Sequence, residues 1–594
     1  MQRLLNLSRL SPAKALCLCL GVGFLLCLPG LQLGLVADDY MHIAVLDKLL
    51  PVGGPLDLFD WAPGDPAVLQ PRIARGPYPW TTTPDVRVVF FRPLSSALIA
   101  LDHMLFKNWV PLQHLHSTLW YGLIILACHL LFRRRLPGTV AFLALLLFAM
   151  DESHLFAAVW LANRNALVAA VPALFGLVAH LRWREDGWKP GLPLSLLGYA
   201  VGLLGGETAL GVLAYLAAYE LFAAPGRWPR RLAAFLPATV LVLAYLGLYK
   251  ALGYGASGSG FYIDPIGEPW AFLSRAPGRM LALVGAQLVG FPADLWALGA
   301  YVRPLSAFSG LAGVALIAAL LKTHWSLVSE QERRLLSWMV PGAVLSMLPV
   351  AATVPTSRLL LVPSVGISVL LAVVLHAWWQ GRKSAIMPRW HAAACWFLVA
   401  IHLLLPVAAW PAATVGFSLI GRQIERNAFS PETDAAMAGA SRYVLLVAPD
   451  PMVNVYIPIM RAVRRHEPMP ESWLIVSPTP YPHRIRRTSP TRLEIEIVGG
   501  SIGNQLADFL FSNGEHPFRK GHQVPVLGAV ITVLEANDIG PTKMAVEFDR
   551  PLEDPALRFL SAKNGILERM AIPAVGEELL IPAQRSLISS LGRP

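Results

Sequence analysis

The chain has 594 residues, 55% of them hydrophobic and only 15% charged, against roughly 25% charged in an ordinary soluble domain. With a mean hydropathy of +0.52, this excludes a soluble globular enzyme and points to a polytopic α-helical membrane protein. The net charge of +11 does not signal nucleic acid, because the basic residues gather in short clusters between apolar runs, where they read as topology signals under the positive-inside rule.

Residues 1–14 form a basic cytoplasmic N-terminus bearing Arg3, Arg9 and Lys14. The membrane part covers 15–412, and each crossing needs about 20 apolar residues. The first candidate runs from Ala15 to Val36; it is longer than the roughly 7 to 15 apolar residues of a cleavable signal peptide and reads as an anchor. Residues 37–110 carry Pro and Gly repeatedly and hold no clean span. They read as a large outer loop ending in a short amphipathic helix, Leu94 to Phe106, that lies along the interface with Asp102, His103 and Lys107 on it.

Val110 to Phe132, Gly138 to Met150, Val159 to Leu181, Leu192 to Gly206, Thr208 to Phe222 and Leu232 to Leu252 are the next spans, and a second outer loop follows. Leu281 to Ala300 has the composition of a span, but counting it would invert the basic loops at Arg333-Arg334 and Arg382-Lys383, so it reads as re-entrant. Leu305 to Leu321, Leu335 to Ala352, Leu359 to Trp379 and His391 to Trp410 finish a set of about 11 transmembrane helices. This multi-pass arrangement, expected in a cell (inner) membrane, has the N-terminus inside and the C-terminus outside.

Cys17, Cys19, Cys27, Cys128 and Cys395 all sit in apolar runs, leaving no disulfide framework and no CxxC metal knuckle. After a linker at 413–439 the composition changes. "RYVLLVAPD" and "SWLIVS" are β-type runs flanking a helical stretch around Val455 to Arg464, and "RLEIEIVGG", "PVLGAVITVLEAND" and "KMAVEFDR" are further β-type runs. Residues 440–594 therefore read as a soluble, extracytoplasmic, mixed α/β or β-rich domain. Gly499-Gly500 has no GxGxxG context, so no nucleotide fingerprint is present.

Ionisable residues in or against a membrane are costly and tend to be paired or functional. Those near outer span ends are Asp38, Asp39 and His42; Arg92; His114 and His116; Asp151, Glu152 and His154; Arg164; Glu207; and Arg358. Each has a plain structural role open to it. Asp38 or Asp39 can cap the following helix, with His42 one turn on and able to orient Asp38. Arg92 and Arg164 can pair with Asp151 or Glu152, Glu207 can sit in a loop, and Arg358 can snorkel to headgroups. Gathered on one side, they read as a pocket with carboxylates for proton transfer and arginines for the phosphate of a lipid.

At these residues the sequence resembles the GT-C superfamily of integral-membrane glycosyltransferases, which use polyprenyl-phosphate-linked sugars. Within it the likeness is to protein O-mannosyltransferase-like proteins and the tetratricopeptide-bearing transmembrane O-mannosyltransferases, over roughly Leu16 to Trp379. The motifs that carry it are Asp38-Asp39-Tyr40, Arg92-Pro93-Leu94, His116, His154-Leu155 with Trp160 and Asn163-Arg164-Asn165, Gly206-Glu207, and Ser357-Arg358-Leu359-Leu360-Leu361-Val362-Pro363-Ser364-Val365-Gly366. The family's His-Pro, Gly-Arg and Glu-Arg-x-Leu-Tyr patterns are incomplete here, and no tetratricopeptide array follows.

The resemblance implies an inverting transfer from a polyprenyl-phosphate-linked sugar to a hydroxyl of an acceptor protein, lipid or glycan, on the extracytoplasmic side. Asp38 is the expected base and Asp39 a cap or second acceptor contact. Arg358, then Arg92 or Arg164, is the expected cation on the departing phosphate, and His116, His154 and Glu207 complete the substrate contacts. No cofactor is assigned, and a divalent metal bridging Asp38 and Glu207 is left open. The alternative is a non-catalytic lipid-linked sugar transporter or scaffold.

Overall fold

Residues 11–50, 52–107, 109–382, 388–503, 508–513 and 517–584 are described by a computed structural model. Arg3, Arg9, Lys383 and residues 585–594 lie outside the described residues. Among the described residues, seven helices are long and apolar enough to cross a membrane: Pro12–Gln32, Val110–Phe132, Leu161–Asp186, Trp228–Ala251, Val302–Leu327, Pro363–Gly381 and Arg389–Ala428. Gly138–Met150 and Glu152–Val159, bent by 46° where they meet, make an eighth if taken as one span.

The expected 11 crossings are therefore not reached by length and composition. Gly191–Gly205 and Thr208–Phe222 have 15 residues each, about 22 Å of helix against a hydrocarbon core of about 30 Å. Glu330–Val350 opens on Glu330, Glu332, Arg333 and Arg334 behind a Ser329 capping box. All three pack into the bundle. The segment read as re-entrant is the end of the Pro269–Val289 helix followed by a 3-10 turn, Ala293–Leu298.

Basic clusters mark one end of the bundle. Arg134 pairs with Glu185 at 3.1 Å and Asp186 at 2.9 Å, Arg184 pairs with Glu220 at 2.7 Å, and Arg334 donates to the Ala223 carbonyl at 3.1 Å. The opposite end carries the loops and the C-terminal domain. There the strands β1 (Asp60–Pro63), β2 (Arg87–Val89) and β3 (Gly255–Ser257) form an antiparallel sheet that ties together the two loops expected to be outer.

Pro93–Phe106 lies where the interfacial helix was expected, but its polar side faces inward. Ser95, Ser96 and Asp102 are buried while Leu101, Met104 and Leu105 are exposed. That inverts an ordinary surface helix, as suits an element with lipid on its outer face and polar groups to satisfy within.

Arg389–Ala428 is 40 residues long, about 60 Å of helix, so it outruns the membrane and leads into the C-terminal domain. The 413–439 stretch expected as a linker is helical, formed by the end of this element and by Pro431–Met437. Beyond it, β4 (Arg442–Val447), the helix Pro451–Arg465 and β5 (Ser472–Ile475) make a β-α-β unit with the two strands parallel. Adding β11 (Leu557–Lys563) and β12 (Ile566–Arg569) gives a sheet of order β12-β11-β4-β5.

A second, antiparallel sheet has the order β13-β6-β7-β10-β9-β8, from β6 (His483–Ser489), β7 (Arg492–Ile497), β8 (Gln523–Val526), β9 (Ala529–Ala536), β10 (Pro541–Phe548) and β13 (Glu578–Ile581). In "RLEIEI" the alternation works as a pleated strand requires, with Leu493, Ile495 and Ile497 buried. The domain docks on the membrane part through apolar and polar contacts. Tyr40 and Ala44 share a core with Leu445, Ile457 and Met460, and the buried Trp80 donates its indole N–H to the Val476 carbonyl at 2.8 Å.

Small residues let the bundle close. A Cβ on Gly198 would lie 2.6 Å from the Pro172 carbonyl oxygen and 2.8 Å from the Gly176 Cα, so Leu161–Asp186 and Gly191–Gly205 touch backbone to backbone, as membrane helices with small residues at the interface do. Gly198→Val is expected to destabilise the protein by at least the ~1–3 kcal/mol of an overpacked core, read as a lower melting temperature in detergent. Gly247→Val, where a Cβ meets nothing within 4 Å, should leave it unchanged.

Candidate active site

The site begins at the turn after the first span. Ala37 has φ 50° and ψ −112°, a conformation sterically disfavoured for an L-residue and held only where the surroundings impose it. Here Asp39 imposes it. Its Oδ2 accepts the Val36 N–H at 2.9 Å and its Oδ1 the Ala162 N–H at 2.8 Å, joining the turn to the Leu161–Asn163 segment. Burial pushes the Asp39 carboxyl up to about 7, against the pull of those two amides. Both of its oxygens are committed, so Asp39 serves as a staple.

Asp38 starts the helix Asp38–Leu46, and successive helical side chains diverge by about 100°. It lines a cavity of about 550 Å³ whose wall includes Arg92, Trp160, Glu207, Tyr262 and Arg358. Its Oδ1 accepts the Tyr456 hydroxyl at 2.5 Å, while no described residue donates to Oδ2. Burial raises the Asp38 carboxyl above its ordinary value, and the Tyr456 hydrogen bond and the Arg358 charge oppose that rise. Tyr456 belongs to the C-terminal domain, 418 positions away, and nothing in the sequence pointed to it.

The cavity's other charges divide into paired and unpaired. Arg92 Nε donates to Glu207 Oε2 at 2.8 Å, and Tyr249 donates to Glu207 Oε1 at 2.9 Å. The Arg92 guanidinium also stands 4.4 Å from the Phe90 ring and 4.9 Å from that of Phe59. Lys250 pairs with Asp264 at 2.6 Å. Arg358 makes no ion pair within 4.0 Å with a described carboxylate; its guanidinium sits 5.9 Å from the Trp160 ring. Two contacts hold these groups in place: the Ser357 N–H donates to Asp294 at 3.0 Å, and the Trp160 indole N–H donates to the Val36 carbonyl at 3.2 Å.

Of the residues expected at the site, Asp38, Arg92, Glu207 and Arg358 line this cavity. Arg164, His116 and His154 do not. Arg164 is buried and pairs with Asp102 at 2.6 Å, and His116 Nδ1 lies 2.7 Å from Asp102 Oδ1 and 3.2 Å from Arg164. His154 is enclosed between Ser364 at 2.7 Å and Tyr121 at 3.2 Å.

The arginines therefore take Glu207 and Asp102 as partners in place of Asp151 or Glu152; Asp151 is held by the Ser153 N–H at 3.0 Å and by Gln287 at 3.1 Å. His42 does not orient Asp38. It is buried against Phe59 at 4.9 Å and Trp61 at 5.6 Å, and burial with the charges of Arg92 and Arg164 pushes it down to about 3, so it stays neutral. Among the described residues no group of three or more His, Cys, Asp or Glu is arranged to hold a metal. Of the two carboxylates that a bridging ion would need, Glu207 already accepts one hydrogen bond on each oxygen, from Arg92 and from Tyr249.

No protein-family model and no curated protein matches the chain. Among solved structures it is similar to the arabinofuranosyltransferase AftD from Mycobacteria, with 15% identity over 74% of this chain and 30% of that one and a TM-score of 0.35. It is also similar to the oligosaccharyltransferase AglB from Archaeoglobus fulgidus in complex with an inhibitory peptide and a dolichol-phosphate, with 13% identity over 78% of this chain and 64% of that one and a TM-score of 0.41. An Archaeoglobus fulgidus oligosaccharyltransferase tethered with an acceptor peptide gives 12% identity over 77% and 64%, with a TM-score of 0.36. The chain thus spans less than two thirds of the length of each.

The Arg164–Asp102 pair is buried and lies outside the cavity wall. Removing one partner strands a buried charge, so Arg164→Leu is expected to cost about 3–5 kcal/mol. The check is a double-mutant cycle on thermal stability, in which Asp102→Asn costs much less in the Arg164→Leu background than in the wild type.

Proposed function

We propose that this chain is a GT-C-type membrane glycosyltransferase that moves a sugar from a polyprenyl-phosphate-linked donor to an acceptor hydroxyl on the extracytoplasmic side, with inversion. The observation that carries this reading is the presence, in one cavity, of a carboxylate with one oxygen to which no described residue donates and an arginine that makes no ion pair within 4.0 Å with a described carboxylate. The cavity lies at the bundle end opposite the arginine clusters, and the positive-inside rule assigns those clusters to the cytoplasm.

The chemistry follows from the arrangement. The acceptor hydroxyl gives its proton to Asp38 as its oxygen attacks the anomeric carbon, the general-base role. The bond from that carbon to the phosphate oxygen breaks, and the polyprenyl phosphate leaves with an added negative charge. Arg358, which makes no ion pair with a described carboxylate, meets that charge where it develops. Trp61, Trp160 and Tyr262 offer aromatic faces to a sugar ring, and Leu246, Leu348 and Val350 offer an apolar wall to a prenyl chain. The Arg92–Glu207 pair supplies a polar edge whose partners are already set.

Asp38→Asn is expected to reduce transfer from a panel of polyprenyl-phosphate-linked sugars in proteoliposomes by about 10²–10⁴-fold, and Arg358→Ala by about 10²–10³-fold. Full transfer by Asp38→Asn would contradict the reading, and a carrier or scaffold would show binding with no transfer by any variant. The pH dependence has a definite sign. A carboxyl raised by burial loses its basic form as pH falls through that raised value, so the acid limb of kcat/KM should lie above the ordinary carboxylate range of about 4.

A further inference from the structure

Resting on that function, we infer that Tyr456 is a positioning residue for Asp38, so that the docked C-terminal domain completes the active site. The hydroxyl of Tyr456 reaches Asp38 Oδ1 at 2.5 Å but is not part of the cavity wall. It therefore holds the carboxylate from the side away from substrate. A carboxylate's terminal torsion is broad, and a single fixed donor on one oxygen sets its plane and leaves the other oxygen for the acceptor proton.

Tyr456 is itself held firmly. At the start of its helix, Asp450 accepts the Met452 N–H at 2.9 Å, Asn454 donates to the Ala448 carbonyl at 2.8 Å, and the Trp473 indole donates to the Asn454 carbonyl at 2.7 Å. Farther along, Arg464 pairs with Glu425 on the long helix at 2.7 Å and Arg461 with Asp434 at 2.6 Å. Ile457 and Met460 pack with Tyr40 and Ala44 of the helix that Asp38 begins. The aspartate and the tyrosine thus ride on two elements sharing one apolar core, although they lie 418 positions apart in the chain.

The ionisable groups around Asp38 are Asp39 on its own helix, Arg358 from the Ser357–Leu360 turn, Tyr262 from the second outer loop and Tyr456. Arg92 and Lys250 on the cavity wall are engaged by Glu207 and Asp264. The Tyr456 hydroxyl is raised well above its ordinary value and stays protonated as a donor. A donor to the ionised form favours that form, so the Tyr456 hydrogen bond pulls Asp38 toward its ionised form and opposes the burial that raises it.

The test is an infrared titration of the protonated-carboxyl band in the reconstituted full chain, with the Asp38 contribution identified by its loss in Asp38→Asn. Tyr456→Phe, which keeps the ring, should move the Asp38 midpoint up by about one pH unit and shift the acid limb of transfer by the same amount, lowering kcat more than it raises KM for the donor. Tyr443→Phe is the control. It removes hydrogen bonds to the Met437 carbonyl at 2.7 Å and the Ala440 carbonyl at 2.8 Å within the same domain, and it should leave the midpoint in place. An unmoved midpoint in a Tyr456→Phe protein with a normal melting curve would overturn the inference. Undiminished transfer by Asp38→Asn would instead overturn the proposed function, whatever the midpoint does.

Discussion

Asp39 binds two backbone amides at once, one from the turn that ends the first span and one from the segment before the Asn165–Asp186 helix. The rest of the site depends on that double contact. It accompanies the disfavoured conformation of Ala37, the residue directly before the Asp38–Leu46 helix. It also brings the Val36 carbonyl to the indole of Trp160, so one wall of the cavity is registered against the turn that bears Asp38. A carboxylate spent on structure thus sets the direction of its neighbour: Asp39 staples the turn to the Leu161–Asn163 segment without capping the helix, and Asp38 lines the cavity.

The arginines show a similar division. Burying a charge is costly unless a partner offsets it, and the chain meets that requirement for Arg164 with Asp102 and for Arg92 with Glu207. These pairs tie elements together, and their charges are neutralised before any ligand arrives. Arg358 stands apart, with an aromatic ring beside it and the cavity before it. An anion entering the cavity would find a guanidinium not engaged in an ion pair with any described carboxylate, free to donate to a phosphate.

Much of the membrane part could be read in advance. Val110–Phe132, Gly138–Met150 and Thr208–Phe222 have the ends that arginines, prolines and glycines announced, and the short β-type runs of the tail became strands. The number of crossings was less legible. Charge parity constrains whether the number of crossings between basic loops is odd or even and leaves pairs of short apolar helices uncounted, and Gly191–Gly205 and Thr208–Phe222, at 15 residues each, are such a pair.

The site was half legible, because ionisable residues at outer span ends reveal depth but not partners. Asp102 lay on a helix that looked interfacial, and only the fold shows it turned inward to Arg164 and His116. Tyr456 lay in a tail whose composition said nothing of the membrane part, and long-range contact of that kind leaves no local pattern.

The central claim is that the cavity between Asp38 and Arg358 holds the phosphate of a lipid-linked sugar. The most direct measurement is a structure of the full chain in lipid nanodiscs with an added polyprenyl phosphate. The account predicts density for the phosphate against the Arg358 guanidinium, with the prenyl chain leaving past Leu246 and Leu348. Phosphate density elsewhere on the protein, with this cavity empty at saturating lipid, would contradict it.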